Sequence, residues 1–215
     1  MKNEGVTMKG RIFIVLMILG LTIALSGCAG SKIYLMEVKY IGEKNAGPTA
    51  RIVGICPFED ERKDKGKDLI GLRRHRDKRV DLIKLEGLSL PDSVTKAVRD
   101  YFADNGFQVT DCKGWDMRPE GLDRLPSDLT LVVGGKIDSF MIEAKSGIMT
   151  TDIQYTIKMR VLIGKIKERT VVIRRIESTP IEKKVRFNPV NVRGKMNSLL
   201  TEALQNLLKE CLQCE

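Results

Sequence analysis

The sequence predicts an α+β domain: a two-layer sandwich with a mostly antiparallel sheet and two helices packed on one face. Three observations carry this expectation. From 148 to 163 the chain alternates, with Ile153, Tyr155, Ile157, Met159, Val161 and Ile163 on one side. Asp152, Gln154, Thr156, Lys158 and Arg160 fall on the other, the period of a half-buried strand. Val94, Ala97, Val98, Tyr101 and Phe102 recur at helical spacing, and Met196, Leu199, Leu200, Ala203, Leu204, Leu207 and Leu208 do so again near the end of the chain. One apolar strand face and one stripe per helix are buried most simply by laying both helices on a single sheet.

The elements follow in order. Lys9 and Arg11 precede an apolar run from Ile12 to Leu25, about 14 residues. That length suits the middle of a secretory leader and falls short of the roughly 20 residues that span a bilayer. Met8-Lys9-Gly10-Arg11 is by itself a complete basic start for such a leader. Ile33 to Ile41 reads as a strand, and Gly42 to Thr49 as a loop. Arg51 to Phe58 is a second strand, rich in β-branched residues and closed by Pro57. From 61 to 84 there are ten basic and five acidic residues. This run reads as a solvated loop or exposed hairpin, or as an anion-binding surface through Arg73, Arg74, Arg76 and Arg79. A helix follows, capped by Ser89, with Pro91 and Asp92 in its first turn and Asn105-Gly106 as its stop. Phe107 to Val109 is a short strand. Residues 113–127 form an irregular connection in which Trp115, the only tryptophan, packs on the domain. Leu129–Ile142 and Ile148–Ile163 are long strands, Thr170–Ile176 pairs beside them, and Ile181–Phe187 adds one more. The last helix starts at Asn188-Pro189.

Composition bounds the function. The formal net charge is +9, and a leader ending at Gly27 would remove three basic residues and one acidic, leaving +7 on 188 residues. That is enough chain for one domain with a core. A basic balance suits anionic partners: lipid headgroups, lipopolysaccharide or acidic glycan. No nucleic-acid partner is expected, because an exported chain does not meet it and no aromatics interleave the basic run. Cys56, Cys112, Cys211 and Cys214 allow three disulfide connectivities. Cys211 and Cys214 sit at the end of a helix, where the dipole does not lower a thiol pKa, so they read as a local disulfide or an inert pair rather than a redox dithiol. No metal site is expected, since zinc would need two more ligands and the only histidine is His75. There is no Gly-x-Ser-x-Gly, no phosphate loop, and no singled-out nucleophile, base or carboxylate pair. The chain is therefore read as having no catalytic residue and no cofactor beyond a covalent lipid.

That lipid is implied by a resemblance. Leu25-Ser26-Gly27-Cys28 resembles the bacterial lipoprotein signal, in which the leader is cut before a cysteine that carries lipid. The resemblance implies a leader over 1–27, a lipidated tether over 28–33 and one domain over 34–215, anchored to a membrane through Cys28. In Gram-negative members of that class an Asp after the cysteine often means retention in the inner membrane, so the resemblance implies, through Ala29, the outer membrane facing the periplasm rather than the inner. The domain also resembles the YajG-like lipoproteins. The matching features are a strand ending Pro57-Phe58 before Asp60-Glu61-Arg62, then Ile70-Gly71, Asn105-Gly106-Phe107 and Leu131-Val132-Val133-Gly134-Gly135-Lys136-Ile137. That family shares a small α+β sandwich with activators of penicillin-binding proteins and with auxiliary lipoproteins of lipid transporters. The resemblance implies a non-catalytic envelope lipoprotein that binds or assists an envelope protein. The alternative is an accessory that handles lipid or lipopolysaccharide, which predicts an apolar groove between helices and sheet with basic residues at its mouth.

Overall fold

The computed structural model describes residues 30–44, 47–63, 66 and 68–212, with side chains described up to Asn206. Cys28 and the expected leader over 1–27 lie outside the described residues, as do Cys214 and the side chains of Leu207, Leu208 and Cys211. The chain divides into two units, 1–31 and 32–215, and the sheet and helices named next belong to the second.

Nine strands form one open mixed sheet: β1 (Ile33–Met36), β2 (Ile52–Asp60), β3 (Leu69–Arg74), β4 (Val80–Leu85), β5 (Gln108–Asp111), β6 (Leu131–Ser146), β7 (Thr151–Lys165), β8 (Thr170–Ser178) and β9 (Ile181–Lys184). Two helices accompany it, α1 (Leu90–Asp104) and α2 (Pro189–Leu212), with a short 3-10 turn over Pro119–Arg124. Ser89 caps α1 by accepting the Asp92 backbone N–H at 3.3 Å. Gly106 ends it at φ +84°, where a Cβ would collide with the Gly47 carbonyl.

The antiparallel expectation holds for the ladders of β7 with β6, β8 and β9. It does not hold for β2, which runs parallel to both β5 and β6, nor for β3 against β6 or β1 against β4. The reason is connection length: local hairpins return antiparallel, whereas β2 reaches β5 only after α1. Residues 59–85 also differ from a solvated loop. Here β3 and β4 form a hairpin inside the sheet, between β1 and β6, with Ile70 and Ile83 fully buried. Apolar residues at alternate positions place these strands in the sheet despite the charges around them.

One large core cluster joins Val94, Val98 and Phe102 of α1, Met196, Leu200 and Leu204 of α2, and the inward residues of β2, β3, β4, β6 and β7. A smaller cluster shows that the strand face marked by Asp152, Gln154, Thr156, Lys158 and Arg160 is not polar along its whole length. Trp115 and Leu122 pack with Cys56, Cys112, Val132 and Leu162. Val132 and Leu162 are apolar where the alternation should be polar, and the 113–127 connection folds over them. Gly164 permits this packing, since a Cβ there would meet Leu122 and Val132 at 2.6 Å.

Candidate functional site

The strand registers gather one set of residues at a single end of the sheet. Arg74, the last residue of β3, pairs with Lys145 near the end of β6 and with Val80 at the start of β4. Ser146 pairs with Thr151 across the β6–β7 hairpin, and Thr151 pairs with Lys184 at the end of β9. Ile33, the first residue of β1, pairs with Leu82 of β4. The β3–β4 turn, the β6–β7 tip, the exit of β9 and the entry of the chain into the domain therefore share this end.

Its interior is a polar cluster built on Asp81, which is buried. The Asp81 carboxylate accepts the Lys32 backbone N–H at 2.9 Å, meets His75 Nε2 at 2.6 Å and lies 3.8 Å from Arg73 Nη1. Burial alone would raise this carboxyl. The bonds from His75 and Lys32 and the charges of His75 and Arg73 together hold it below the ordinary value. Arg73 also donates to Ser146 Oγ at 2.9 Å and stacks on Phe187, its guanidinium carbon 4.8 Å from the ring centroid. Tyr34 packs against the same ring. The Ser146 hydroxyl is engaged by Arg73 and by Thr151 Oγ1 at 3.1 Å, so serine, histidine and aspartate occur together here with the serine turned to the arginine.

The four arginines singled out by sequence thus differ in setting. Arg73 is drawn into the cluster, with 19% of its side chain exposed. Arg79 pairs with Asp77 at 2.6 Å. Arg74 and Arg76 are exposed and make no ion pair among the described residues. A shallow depression of about 490 Å³ lies between Arg73, His75, Arg76, Arg79 and Gly147. Sequence reasoning missed Asp81, Tyr34, Ser146 and Phe187. The four arginines marked the place, and the acid that holds Arg73 and His75 became visible only once the hairpin was closed.

Other candidate sites are more modest. Cys56 and Cys112 lie side by side as buried thiols, continuing the β2–β5 register, and burial followed by the neighbouring Cys112 pushes Cys56 up. Between β8 and α2 a depression of about 450 Å³ is bordered by Arg174, Arg175, Glu177, Leu199, Glu202 and Ala203. Among the described residues no group of three histidine, cysteine or acidic side chains could hold a metal, and no helix is long and apolar enough to cross a membrane.

No family model and no curated protein matches the sequence. Solved structures do. A protein of family DUF330 from Xanthomonas campestris aligns at TM-score 0.51 and 12% identity, over 82% of this chain and 92% of that one. This likeness extends to the fold alone. An uncharacterised protein aligns at TM-score 0.49 and 9% identity, over 85% and 99% of the two chains. Lipoprotein GNA1162 from Neisseria meningitidis aligns at 0.40 and 10%, over 73% and 99%.

Proposed function

We propose that this chain is a non-catalytic envelope lipoprotein of YajG-like type, held to a membrane by lipid on Cys28, that binds or assists another envelope protein. The observation that carries the proposal is Leu25-Ser26-Gly27-Cys28 behind a basic start and a short apolar run. The outer membrane, facing the periplasm, is the proposed location, on the strength of Ala29. A two-layer arrangement with both helices on one sheet face is supported by the single cluster that their stripes share with the strands. The alternative, a lipid or lipopolysaccharide accessory, has one feature in its favour: the depression between β8 and α2 has Arg174 and Arg175 at its border. Glu177 and Glu202 on the same border suit an acyl chain poorly.

Two measurements test this. Metabolic labelling with a clickable fatty acid should mark the protein and fail to mark Cys28→Ala; labelling of that variant overturns the anchor. In-cell crosslinking with mass spectrometry should recover a protein partner. Recovery of lipid alone, with lipid retained by the purified domain in native mass spectrometry, would favour the accessory reading.

A further inference from the structure

We propose that the end of the sheet described above is a lipid-facing surface: the β6–β7 tip enters the headgroup layer of a bilayer, and the unpaired cations around it bind anionic headgroups. The orientation rests on the anchor reading above, while the surface chemistry stands on the structure.

The tip is the first argument. Gly147 donates to the Thr150 carbonyl at 2.7 Å and closes the hairpin, leaving Ile148 and Met149 as the two loop residues. Neither has a positive φ, so no left-handed position calls for Gly or Asn. Here they carry two large apolar side chains, 79% and 80% exposed. Val185, just past β9 at the same end, is 77% exposed. Residues of this kind gathered on one end imply an apolar phase or partner.

Charge is the second argument. Arg74, Arg76, Lys78, Lys145 and Arg186 are exposed at this end and make no ion pair among the described residues. Most acids nearby are paired: Asp77 to Arg79, Asp152 to Lys183, Glu182 to Lys184 and Lys195, and Asp81 to the buried cluster. Glu143 on β6 is exposed without an ion pair among the described residues, which still leaves the five cations in excess. An apolar tip inside a ring of free cations complements an anionic bilayer surface, where hydrocarbon lies just beneath negative headgroups.

Chain connectivity is the third. Lys32 enters the domain here, its N–H fixed to Asp81 and its carbonyl to the Leu82 N–H at 2.8 Å. Cys28 precedes it by four residues, a covalent reach of at most about 14 Å. A lipid on Cys28 would hold this end, rather than the opposite one, against the membrane, and so raise the local concentration of headgroups around the tip.

The test uses residues 32–215, which contain every residue of the main core cluster and so fold without the anchor. Flotation with vesicles of phosphatidylcholine alone, or with added phosphatidylglycerol, reads binding directly. The domain should float with the anionic vesicles only. Ile148→Asp combined with Met149→Asp should lower binding more than about tenfold, and Arg74→Gln or Arg76→Gln about fivefold each. Ile173→Asp changes an exposed apolar residue on β8, away from this end, and should leave binding unchanged. Matching thermal unfolding of the variants excludes misfolding as the cause. No flotation, equal flotation of the tip variant, or a tip-dependent dimer in place of vesicle binding would each overturn the proposal. If the domain fails to float while fatty acid still labels Cys28, this inference falls and the anchor stands. If the domain floats while Cys28 takes no label, the anchor falls and the lipid-facing surface stands.

Discussion

Two charged regions of one sheet use their charges differently. On β2, β6 and β7, Arg160 grips Asp138 with two nitrogens, 2.6 and 3.0 Å from its carboxylate oxygens, and also binds Glu61. Lys136 bridges Glu59 and Glu61. Lys136 and then Arg160 hold the Glu61 carboxyl below its usual value, and Arg160 does the same for Asp138. In that region both cations are paired with acids. At the chain-entry end, Arg74, Arg76, Lys145 and Arg186 make no ion pair among the described residues. The net charge thus says little about binding until pairing is known. A paired network is chiefly a matter of local structure, whereas unpaired cations remain available to a partner.

The largest expected effect comes from removing the base of the unpaired end. Asp81→Ala would leave His75 Nε2 and the Lys32 N–H without their acceptor and take the nearest negative charge from Arg73, costing about 4 kcal/mol in urea unfolding. The Asp81 carboxyl is depressed, so its contribution is present at neutral pH. It is lost as pH falls below about 4 and through the lower folded value. The parent should therefore lose stability on acidification more steeply than the variant, and parallel curves would show that Asp81 is not coupled as described. Trp115→Ala comes next, at about 3 kcal/mol for the cavity it leaves in the smaller cluster. It should also let maleimide reach Cys56 and Cys112, which resist it in the parent.

Smaller effects sharpen the contrast. Arg160→Gln should cost less than about 1 kcal/mol, and less still in high salt, because its partners are only partly shielded from water. Flotation with anionic vesicles should not change. Arg74→Gln together with Arg76→Gln should move stability by less than about 0.5 kcal/mol, since neither side chain holds the fold. Should this pair instead destabilise the domain while Arg160→Gln abolishes vesicle binding, the roles assigned to the two regions would be reversed.

The sequence revealed elements better than neighbours. The stripes of α1 and α2 and the alternation of β7 were legible because helix and strand periods are local properties. The long β6 and the cap at Ser89 were legible for the same reason. What stayed hidden depends on distant residues meeting. Parallel pairing of β2 with β6 follows from a crossover, and Asp81 gains meaning only when Lys32, Arg73 and His75 converge on it. The arginine cluster was visible as composition, but not the division that sends Arg73 inward and leaves Arg74 and Arg76 in water. Ile148 and Met149 look like the first turn of an alternating strand until the hairpin register makes them its tip.

Tryptophan fluorescence on bilayers containing brominated lipid is the most direct test of the lipid-facing end. The parent has only Trp115, buried in the smaller cluster, and its emission should be unaffected by such bilayers. Ile148→Trp adds a second emitter at the tip. On anionic vesicles, this added emission should shift to the blue and be quenched by bromine on the acyl chains. Added emission that stays unquenched at full vesicle binding would show that the domain docks by another surface and that the β6–β7 tip does not enter the bilayer.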